Sequence, residues 1–293
     1  MATPPTPYLF PLNARFGVDN LVLHARGRRH IVNSFHGPLS IKTVINGSVA
    51  WRVQNRDLTV DPASFLVLND GEPYSMDINA PRPVETACLF FQRAYVETIA
   101  ADATTPYATA LDNPAPKPAD LASIFRLHAD PTGTIIHRVQ TLARRCTTEL
   151  QPSSFEEDFL LLAAGLLTLA RELRSQLTRI PSAKASTRAE LYRRLEIARE
   201  YMHGTATPVS LDSTARAACL SRYHFHQAFT KVYRQTPHAY FTTLRLARAH
   251  ALLLNGATVE QTCFDLGFAS PSSFTRLFRT RYAITPGSLR RNN

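Results

Sequence analysis

The sequence has few cysteines and no long apolar run, and each shortage excludes a class of protein. Its four cysteines, Cys88, Cys146, Cys219 and Cys263, lie far apart and form no CxxC pair. This spacing argues against a disulfide framework and a zinc ribbon, and it fits a reducing cytosol. The longest apolar stretch, Phe159–Ala170, has 12 residues, whereas a membrane span needs about 20. We therefore expect a cytoplasmic protein that does not span a membrane.

Signatures of export and catalysis are also missing. The first residues, MATPPTPYLFPLNARFG, contain no basic region followed by an apolar core, so no signal peptide is expected. The sequence has no Ser-His-Asp signature and no glycine-rich phosphate loop. His24, His30 and His36 lack a tight HxH or HxxxH pair with a nearby acidic residue. A protein without catalytic activity, cofactor or metal is therefore expected, with a barrel-shaped metal enzyme as the remote alternative.

Positive charge is concentrated at one end of the chain. The 293 residues suffice for two domains, since a domain averages about 150 residues. Residues 186–293 hold 15 Lys or Arg and 6 Asp or Glu, whereas residues 1–185 hold 18 and 17. A basic domain beside a nearly neutral one is typical of proteins that bind a polyanion such as nucleic acid. A cationic surface that only maintains solubility is the alternative.

The first half of the chain carries β-strand signals over residues 20–92. Asn46-Gly47 separates SIKTVI from SVAWRVQ, and Asn-Gly favours a type I′ hairpin because both central positions need positive φ. More short strands follow, with a break expected at Pro81-Arg82-Pro83, and this spacing predicts a small barrel or sandwich. Four residues that could line its interior, as packing or as effector contacts, are Trp51, Tyr74, Cys88 and Phe90.

Helices are expected after about residue 93, mainly over 132–149 and 155–178, beyond a proline-rich exposed loop at 112–118. The second helix has an apolar seam with the 3-4-3-4 spacing of a short heptad. The seam consists of Phe159, Leu162, Leu166, Leu169 and Leu173. It fits a dimerisation helix, or an amphipathic helix lying on its own domain. The N-terminal domain is thus expected over 1–180, with its helical segment at about 132–178, followed by a linker at 181–187.

A short sequence motif occurs twice in the C-terminal domain, 188–293. Ser221–Pro237 and Ser270–Pro286 are identical at six of 17 aligned positions. In each copy aromatic residues recur every four residues, which places them on one helical face. The leading Ser is a good N-cap, and the closing Thr-Pro starts another helix.

Each copy follows a shorter predicted helix, so each pair forms a helix-turn-helix, at about 211–234 and 258–283. Two such units on a basic domain predict a DNA-binding protein. The helix between them, Pro237–Leu254, would hold the units apart by a fixed distance. The predicted fold class is α+β with two domains, a small β-barrel with a helical segment and an all-α double helix-turn-helix.

These features resemble the AraC/XylS family of transcription regulators, whose C-terminal domain carries two helix-turn-helix units joined by a long helix. The match covers roughly 188–291 and rests on Ser-x3-Phe-x3-Phe in both units, RLARAHALLL, DLGF and the Thr-Pro exits. Residues 36–92 also look like the cupin-like sensory barrel of many such regulators. The resemblance implies double-stranded DNA and RNA polymerase as partners, and a small-molecule effector and a homodimer are expected as well.

The chain departs from the family pattern at the ends of its helices. Family members usually have Gly two residues before each Thr-Pro, where this chain has Arg234 and Ala283. Because Gly suits a left-handed helix end, both ends are expected to close differently. Cys219 stands where Gly is common and Cys263 where Ala is usual, and both are interpreted as small core residues.

The outward faces of the two repeated helices are the candidate DNA contacts, because their phenylalanines face the core. By resemblance, the base-reading positions are Tyr223, His226, Gln227, Ser272, Ser273 and Arg276. Four further positions are better placed for phosphates, which orient a domain without specifying sequence. These are Arg222, Lys231, Thr275 and Arg279.

The predicted function is therefore sequence-specific regulation of transcription, responsive to an effector bound by the N-terminal domain. A ligand-independent regulator and a non-specific architectural DNA-binding protein are the alternatives. The latter would need basic stripes and apolar wedges rather than two ordered recognition helices.

Overall fold

The computed structural model describes residues 7–54, 56–104, 126–129, 134–148, 154–180, 184–205 and 209–291. The chain divides into two compact units, Met1–Arg174 and Ser175–Asn293. The first contains an antiparallel sheet with helices and the second is helical, so the two-domain α+β class is confirmed. The loop expected at 112–118 lies outside the described residues, as do the first three positions of the expected linker. Among the described helices, none has both the length and the apolarity that crossing a membrane requires.

Eight strands form the sheet of the first unit. They are β1 (Tyr8–Phe10), β2 (Leu21–His36), β3 (Ser40–Asn46), β4 (Val49–Val53), β5 (Arg56–Val60), β6 (Ser64–Leu68), β7 (Pro73–Phe90) and β8 (Arg126–Ala129). Their order is β1-β2-β7-β3-β6-β8, and the β4–β5 pair is attached through β7. Among these strands the two outermost, β1 and β8, do not pair with each other, so the sheet is not the closed barrel that was expected.

The Asn46-Gly47 turn does not form the expected hairpin. β3 pairs with the last part of β7, and β4 pairs with its first part at Tyr74–Met76. The two strands therefore follow one another along the same edge of β7, and Gly47 at φ 86° lies in the bend between them. The hairpin lies one strand later, where Val53 is paired with Arg56.

The break expected at Pro81-Arg82-Pro83 is also wrong, because β7 continues through it. Between the pairs Arg29↔Asn79 and Gly27↔Val84 the β7 side contains more residues than the β2 side. The prolines occupy this bulge, where a strand residue needs no ladder N–H and proline is tolerated.

Three helices belong to this part of the chain: α1 (Tyr95–Thr104), α2 (Thr134–Thr148) and α3 (Phe155–Thr178). The last two match the helices predicted at 132–149 and 155–178. In the seam of α3, Phe159, Leu162, Leu166 and Leu173 are at most 2% exposed, and Leu169 is partly buried. The ring of Phe159 packs against that of Phe91, with the two ring centroids 5.6 Å apart. These contacts favour the second of the two interpretations, a helix packed on its own domain.

The second unit has seven described helices. They are α4 (Ala185–Gly204), α5 (Leu211–Ala217), α6 (Arg222–Tyr233), α7 (Pro237–Leu254), α8 (Val259–Asp265), α9 (Pro271–Tyr282) and α10 (Pro286–Arg291). α7 contributes to two packing regions: its Tyr240 ring lies 5.5 Å from Phe229 of α6, while Leu246, Ala249 and Leu253 pack with α8 and α9. The long helix thus forms part of the core of both helix-turn-helix units.

Candidate nucleic-acid interface and N-terminal cavity

The first helix-turn-helix consists of α5 and α6. The Ser221 hydroxyl accepts a hydrogen bond from the His224 backbone N–H at 3.3 Å, which caps α6 as the sequence predicts. Phe225 and Phe229 are fully buried, with ring centroids 5.4 Å apart. Burial of this stripe fixes the rotation of α6 about its axis and so determines which residues face solvent.

The second unit repeats the arrangement with α8 and α9. The Ser270 hydroxyl accepts from the Ser273 N–H at 3.2 Å, and Pro271 occupies the first helical turn. Phe274 and Phe278 are fully buried with centroids 5.7 Å apart. Caps and aromatic stripes therefore occur in both copies, as the repeated sequence predicts.

Both repeated helices end in the left-handed conformation without glycine. Arg234 has φ 55° and Ala283 has φ 59°, so the expectation that these ends close differently is wrong. Cys219 also has φ 53° and is exposed rather than part of the core, whereas Cys263 is buried as expected. A left-handed backbone costs a residue with a Cβ roughly 1–2 kcal/mol, so the geometry of these turns overrides residue preference.

The predicted DNA-contact residues lie on the solvent side of both helices. Tyr223 is 74% exposed, and its hydroxyl accepts a 2.6 Å hydrogen bond from the Gln227 amide one turn later. In α9, Arg276 and Arg279 are exposed. Four other predicted residues are also exposed, namely Arg222, Gln227, Lys231 and Ser272. The remaining three are partly buried, namely His226, Ser273 and Thr275.

Arg222, predicted to contact phosphate, lies 3.7 Å from the Asp212 carboxylate of α5. Both side chains are more than half exposed, and an exposed pair at this distance contributes little to stability. The guanidinium can therefore exchange this partner for a phosphate at small cost.

A buried polar network, which sequence reasoning missed, connects α4 to α6 and α7. The Glu196 carboxylate accepts hydrogen bonds from Arg199 at 2.8 Å and from the Tyr233 hydroxyl at 2.6 Å. Arg199 in turn donates to the Tyr240 hydroxyl at 3.1 Å. Burial and the Glu196 charge raise the pKa of Tyr233 well above its usual value. The network fixes α4 against the first helix-turn-helix. The sequence signal that could have indicated it is the i, i+3 spacing of Glu196 and Arg199.

The first unit contains a cavity of about 430 Å³ between the strands. All four residues predicted to line the interior of the β domain, Trp51, Tyr74, Cys88 and Phe90, are in its wall. Their role in binding an effector is a proposal.

Lys42 of β3 also lines the cavity, and sequence reasoning missed it. Its ammonium donates to the Tyr74 hydroxyl at 3.1 Å and lies 3.5 Å from the Phe90 ring centroid. The side chain is 1% exposed, and burial lowers the pKa of Lys42 to about 7. A lysine inside the apolar strand SIKTVIN was the available signal.

The histidines considered as metal ligands are not brought into one cluster. His24 forms a 2.9 Å bond with Glu85, and His36 contacts the Ser34 carbonyl oxygen through Nδ1. Across the described ranges, no group of three or more His, Cys, Asp and Glu side chains is arranged to hold a metal.

Comparison with known proteins agrees with this geometry. A family model described as a helix-turn-helix domain matches residues 214–292. The thermoregulatory protein LcrF of Yersinia pestis is 24% identical over 259 residues, covering 87% of this chain and 90% of LcrF. The virulence regulon transcriptional activator VirF of Yersinia enterocolitica is 23% identical over 263 residues, with the same coverage. A solved AraC-type transcriptional regulator from Chromobacterium violaceum is 28% identical over 36% of this chain and 95% of that one, with a TM-score of 0.34.

Two capped helix-turn-helix units on one basic domain, together with these relatives, define a DNA-binding transcriptional regulator and not an enzyme. The chain is similar to regulators of the AraC/XylS family.

Proposed function

We propose that both helix-turn-helix units read base sequence, so that one chain contacts two successive major grooves. The observation that carries this proposal is the matched pair of solvent faces on α6 and α9, each opposite a fully buried pair of phenylalanines. Because both units present exposed polar side chains opposite a buried aromatic pair, both can offer a reading surface to DNA.

The length of α7 supports a two-groove arrangement. Its 18 residues rise about 27 Å, and successive major grooves on one face of DNA lie about 34 Å apart. Because α7 packs with both units, it would hold their recognition helices at a fixed separation of this order.

The side chains suggest how each unit would discriminate bases. Gln227 in α6 has the amide that binds adenine bidentately, and Arg276 in α9 has the guanidinium that binds guanine. We propose base contacts also for Tyr223, His226, Ser272 and Ser273. Phosphate contacts are proposed for Arg222, Lys231, Thr275 and Arg279, which would position the domain.

The remaining parts of the proposal concern the first unit and the partners. We propose that its cavity takes a small-molecule effector, that the protein acts as a cytoplasmic homodimer, and that RNA polymerase is its partner. The similarity to AraC/XylS regulators supports these assignments. Because most of the α3 seam is buried in its own unit, the proposed dimer would use another surface, and sedimentation equilibrium of the full chain tests whether a dimer forms.

The test of DNA reading is selection from a random duplex pool with the full-length protein at moderate salt. Two short motifs spaced by about one DNA turn would be recovered if both units read bases. A single motif would restrict reading to one unit. Absence of enrichment, in full-length protein and in residues 186–293 alike, would overturn specific reading.

Two arginines of α9 give a matched pair of variants. Arg276→Ala should relax specificity at one base position and cost ~1–3 kcal/mol on the selected site. Arg279→Ala, which removes the same charge from the same helix, should weaken specific and random duplexes alike. Equal losses on both duplexes for Arg276→Ala would contradict its assignment as a base contact.

A further inference from the structure

Part of the sheet in the first unit is only two strands wide. On β2, pairing with β1 ends at His24. On β7, pairing with β4 ends at Met76 and pairing with β3 begins at Glu85. Residues 26–31 of β2 and 77–84 of β7 therefore pair only with each other among the described strands. We call this two-stranded segment the basic ribbon, because of its charge.

The basic ribbon carries an excess of positive charge on its exposed side. It contains four arginines and one histidine, namely Arg26, Arg28, Arg29, Arg82 and His30. All five are exposed, whereas Ile78 and Val84 are buried and line the cavity. Its one acidic residue is Asp77. Residues 1–185 as a whole hold 18 Lys or Arg and 17 Asp or Glu, so positive charge is concentrated in the ribbon and not spread over the unit.

The ribbon arginines lack the acidic partners that other exposed arginines of this unit have. The Arg52 guanidinium, for example, forms a 2.8 Å ion pair with Asp57. Within the part of the chain that the structure describes, Arg28, Arg29 and Arg82 form no ion pair. Their charge is therefore available to a partner outside the chain.

The β-bulge of the ribbon brings like charges onto facing strands. Arg28 of β2 and Arg82 of β7 both lie within the bulge. Like charges that face each other across a sheet are destabilising. A bound anion would remove this repulsion, and arginine binds phosphate oxygens with particular geometric precision because its guanidinium is planar and has five N–H donors.

Two features of the ribbon favour a nucleic acid over a protein segment as this anionic partner. The ribbon has no Phe, Tyr or Trp, the residues in which protein interfaces are enriched. Pro81, Pro83 and the bulge disfavour the addition of a further strand to this part of β7. Duplex DNA, by contrast, presents a row of phosphates, and its major groove admits a two-stranded ribbon.

We propose that the basic ribbon binds phosphates of duplex DNA, as a sequence-independent contact made by the first unit. Arg28, Arg29 and Arg82 are the main contacts, with Arg26 and His30 beside them. Once the second unit holds a duplex, the ribbon meets it at a high effective concentration, because both units belong to one chain. The inference goes beyond base reading by two helix-turn-helix units, since it places a further DNA surface in the other part of the molecule.

The salt dependence of DNA binding by the full-length protein tests the proposal. The ribbon variant combines Arg28→Gln, Arg29→Gln and Arg82→Gln. Each lost phosphate contact lowers the slope of log affinity against log salt by ~0.9, so three lost contacts should lower it by ~2–3. Fluorescence anisotropy at several salt concentrations measures the slope on the selected duplex and on a random duplex, and the change should be the same on both.

A matched control removes the same charge from other exposed positions of the first unit. It combines Arg15→Gln, Arg52→Gln and Arg93→Gln. The control should lower the slope by less than ~1, because these arginines contact no phosphate. A ribbon variant whose slope is unchanged, or falls no further than that of the control, would overturn the proposal. An unchanged slope is also the result expected if the ribbon served an acidic protein segment.

A lysine variant separates phosphate contact from damage to the fold. Arg28→Lys, Arg29→Lys and Arg82→Lys together keep the charge and should keep most of the slope. Hydroxyl-radical footprinting should show phosphates that the wild type, the lysine variant and the control protect but the ribbon variant does not. If the lysine variant loses the slope and the protection as fully as the glutamine variant, charge at these positions is not what binds the duplex, and the proposal is wrong.

Failure of the proposed function would give a different result. If only one helix-turn-helix unit reads bases, selection recovers one motif, yet the ribbon variant still loses slope on every duplex. If the ribbon does not contact DNA, two motifs are still recovered and the slope of the ribbon variant matches that of the control.

Discussion

Replacing Lys42 by Met should stabilise the first unit, and the gain should depend on pH. The ammonium is 1% exposed in an apolar environment, and burial lowers the pKa of Lys42 from 10.5 to about 7. The folded state therefore binds this proton less tightly than the unfolded state does. Protonated Lys42 destabilises the fold below pH 7, and this penalty falls as pH rises from about 7 toward 10.5.

The magnitude follows from the size of the shift. A difference of about 3.5 pH units between 10.5 and 7 corresponds to about 5 kcal/mol at low pH, at 1.36 kcal/mol per unit. With these two pKa values, proton linkage should raise the free energy of unfolding of the wild-type protein by ~2–3 kcal/mol from pH 6 to pH 9, relative to that of a variant without the amine. Lys42→Met should therefore show its largest advantage at pH 6 and a much smaller one at pH 9.

The single tryptophan makes the measurement direct. Trp51 is the only tryptophan in the sequence, it is 1% exposed, and it lies in the cavity wall. Urea unfolding followed by its fluorescence at pH 6, 7, 8 and 9 therefore reports on the first unit. Arg28→Met is the control and should show a difference from wild type that does not change with pH. A Lys42→Met difference that is constant from pH 6 to 9 would refute the depressed pKa and the uncompensated charge.

Three further predictions concern the second unit. Cys219→Gly should stabilise it by ~1 kcal/mol because Cys219 has a left-handed backbone, and Gly267→Ala, at φ 64° in the corresponding turn, should destabilise it by a similar amount. Thermal unfolding followed by circular dichroism measures both, and a less stable Cys219→Gly or a more stable Gly267→Ala variant would contradict the strain argument. Phe278→Ala should cost ~3–5 kcal/mol, because the ring is fully buried, and urea unfolding followed by circular dichroism checks this. Arg222→Ala should weaken binding to every duplex and reduce the slope of log affinity against log salt by about one, as fluorescence anisotropy at several salt concentrations would show.

Much of the second unit could be predicted because its signals are local. The Ser221 and Ser270 caps, and the phenylalanines at four-residue spacing, act within a single helix and need no distant partner. The solvent exposure of the residues expected to face DNA follows from the same pattern, because a helix with one buried stripe presents the opposite residues to solvent. The start of α7 at Pro237 was predictable for the same reason, since Thr236 caps it and proline fits the first turn.

The first unit was harder to predict because its structure depends on long-range pairing. Asn46-Gly47 has the local chemistry of a hairpin, but β7 supplies one long edge to which both β3 and β4 pair, so the turn becomes a bend. Pro81 and Pro83 are tolerated because β2 has fewer residues opposite them. Lys42 could not be placed in a cavity either, because the wall comes from strands far apart in sequence.

The left-handed residues show that turn geometry is specified by the surrounding fold and not by the residue. Cys219 is the left-handed residue just beyond the end of α5, and the next N–H, that of Leu220, bonds to the Ala215 carbonyl. Gly267 has the same place beyond α8, and the Phe268 N–H bonds to the Cys263 carbonyl. Both are the six-to-one bonds of a Schellman ending, yet only one position has glycine. A strained residue persists only where its surroundings impose the conformation, and here the packing of the following helix through its phenylalanines does so. The orientation of α6 and α9 is thus fixed by the core of each unit, which leaves their exposed side chains free to vary without loss of the fold.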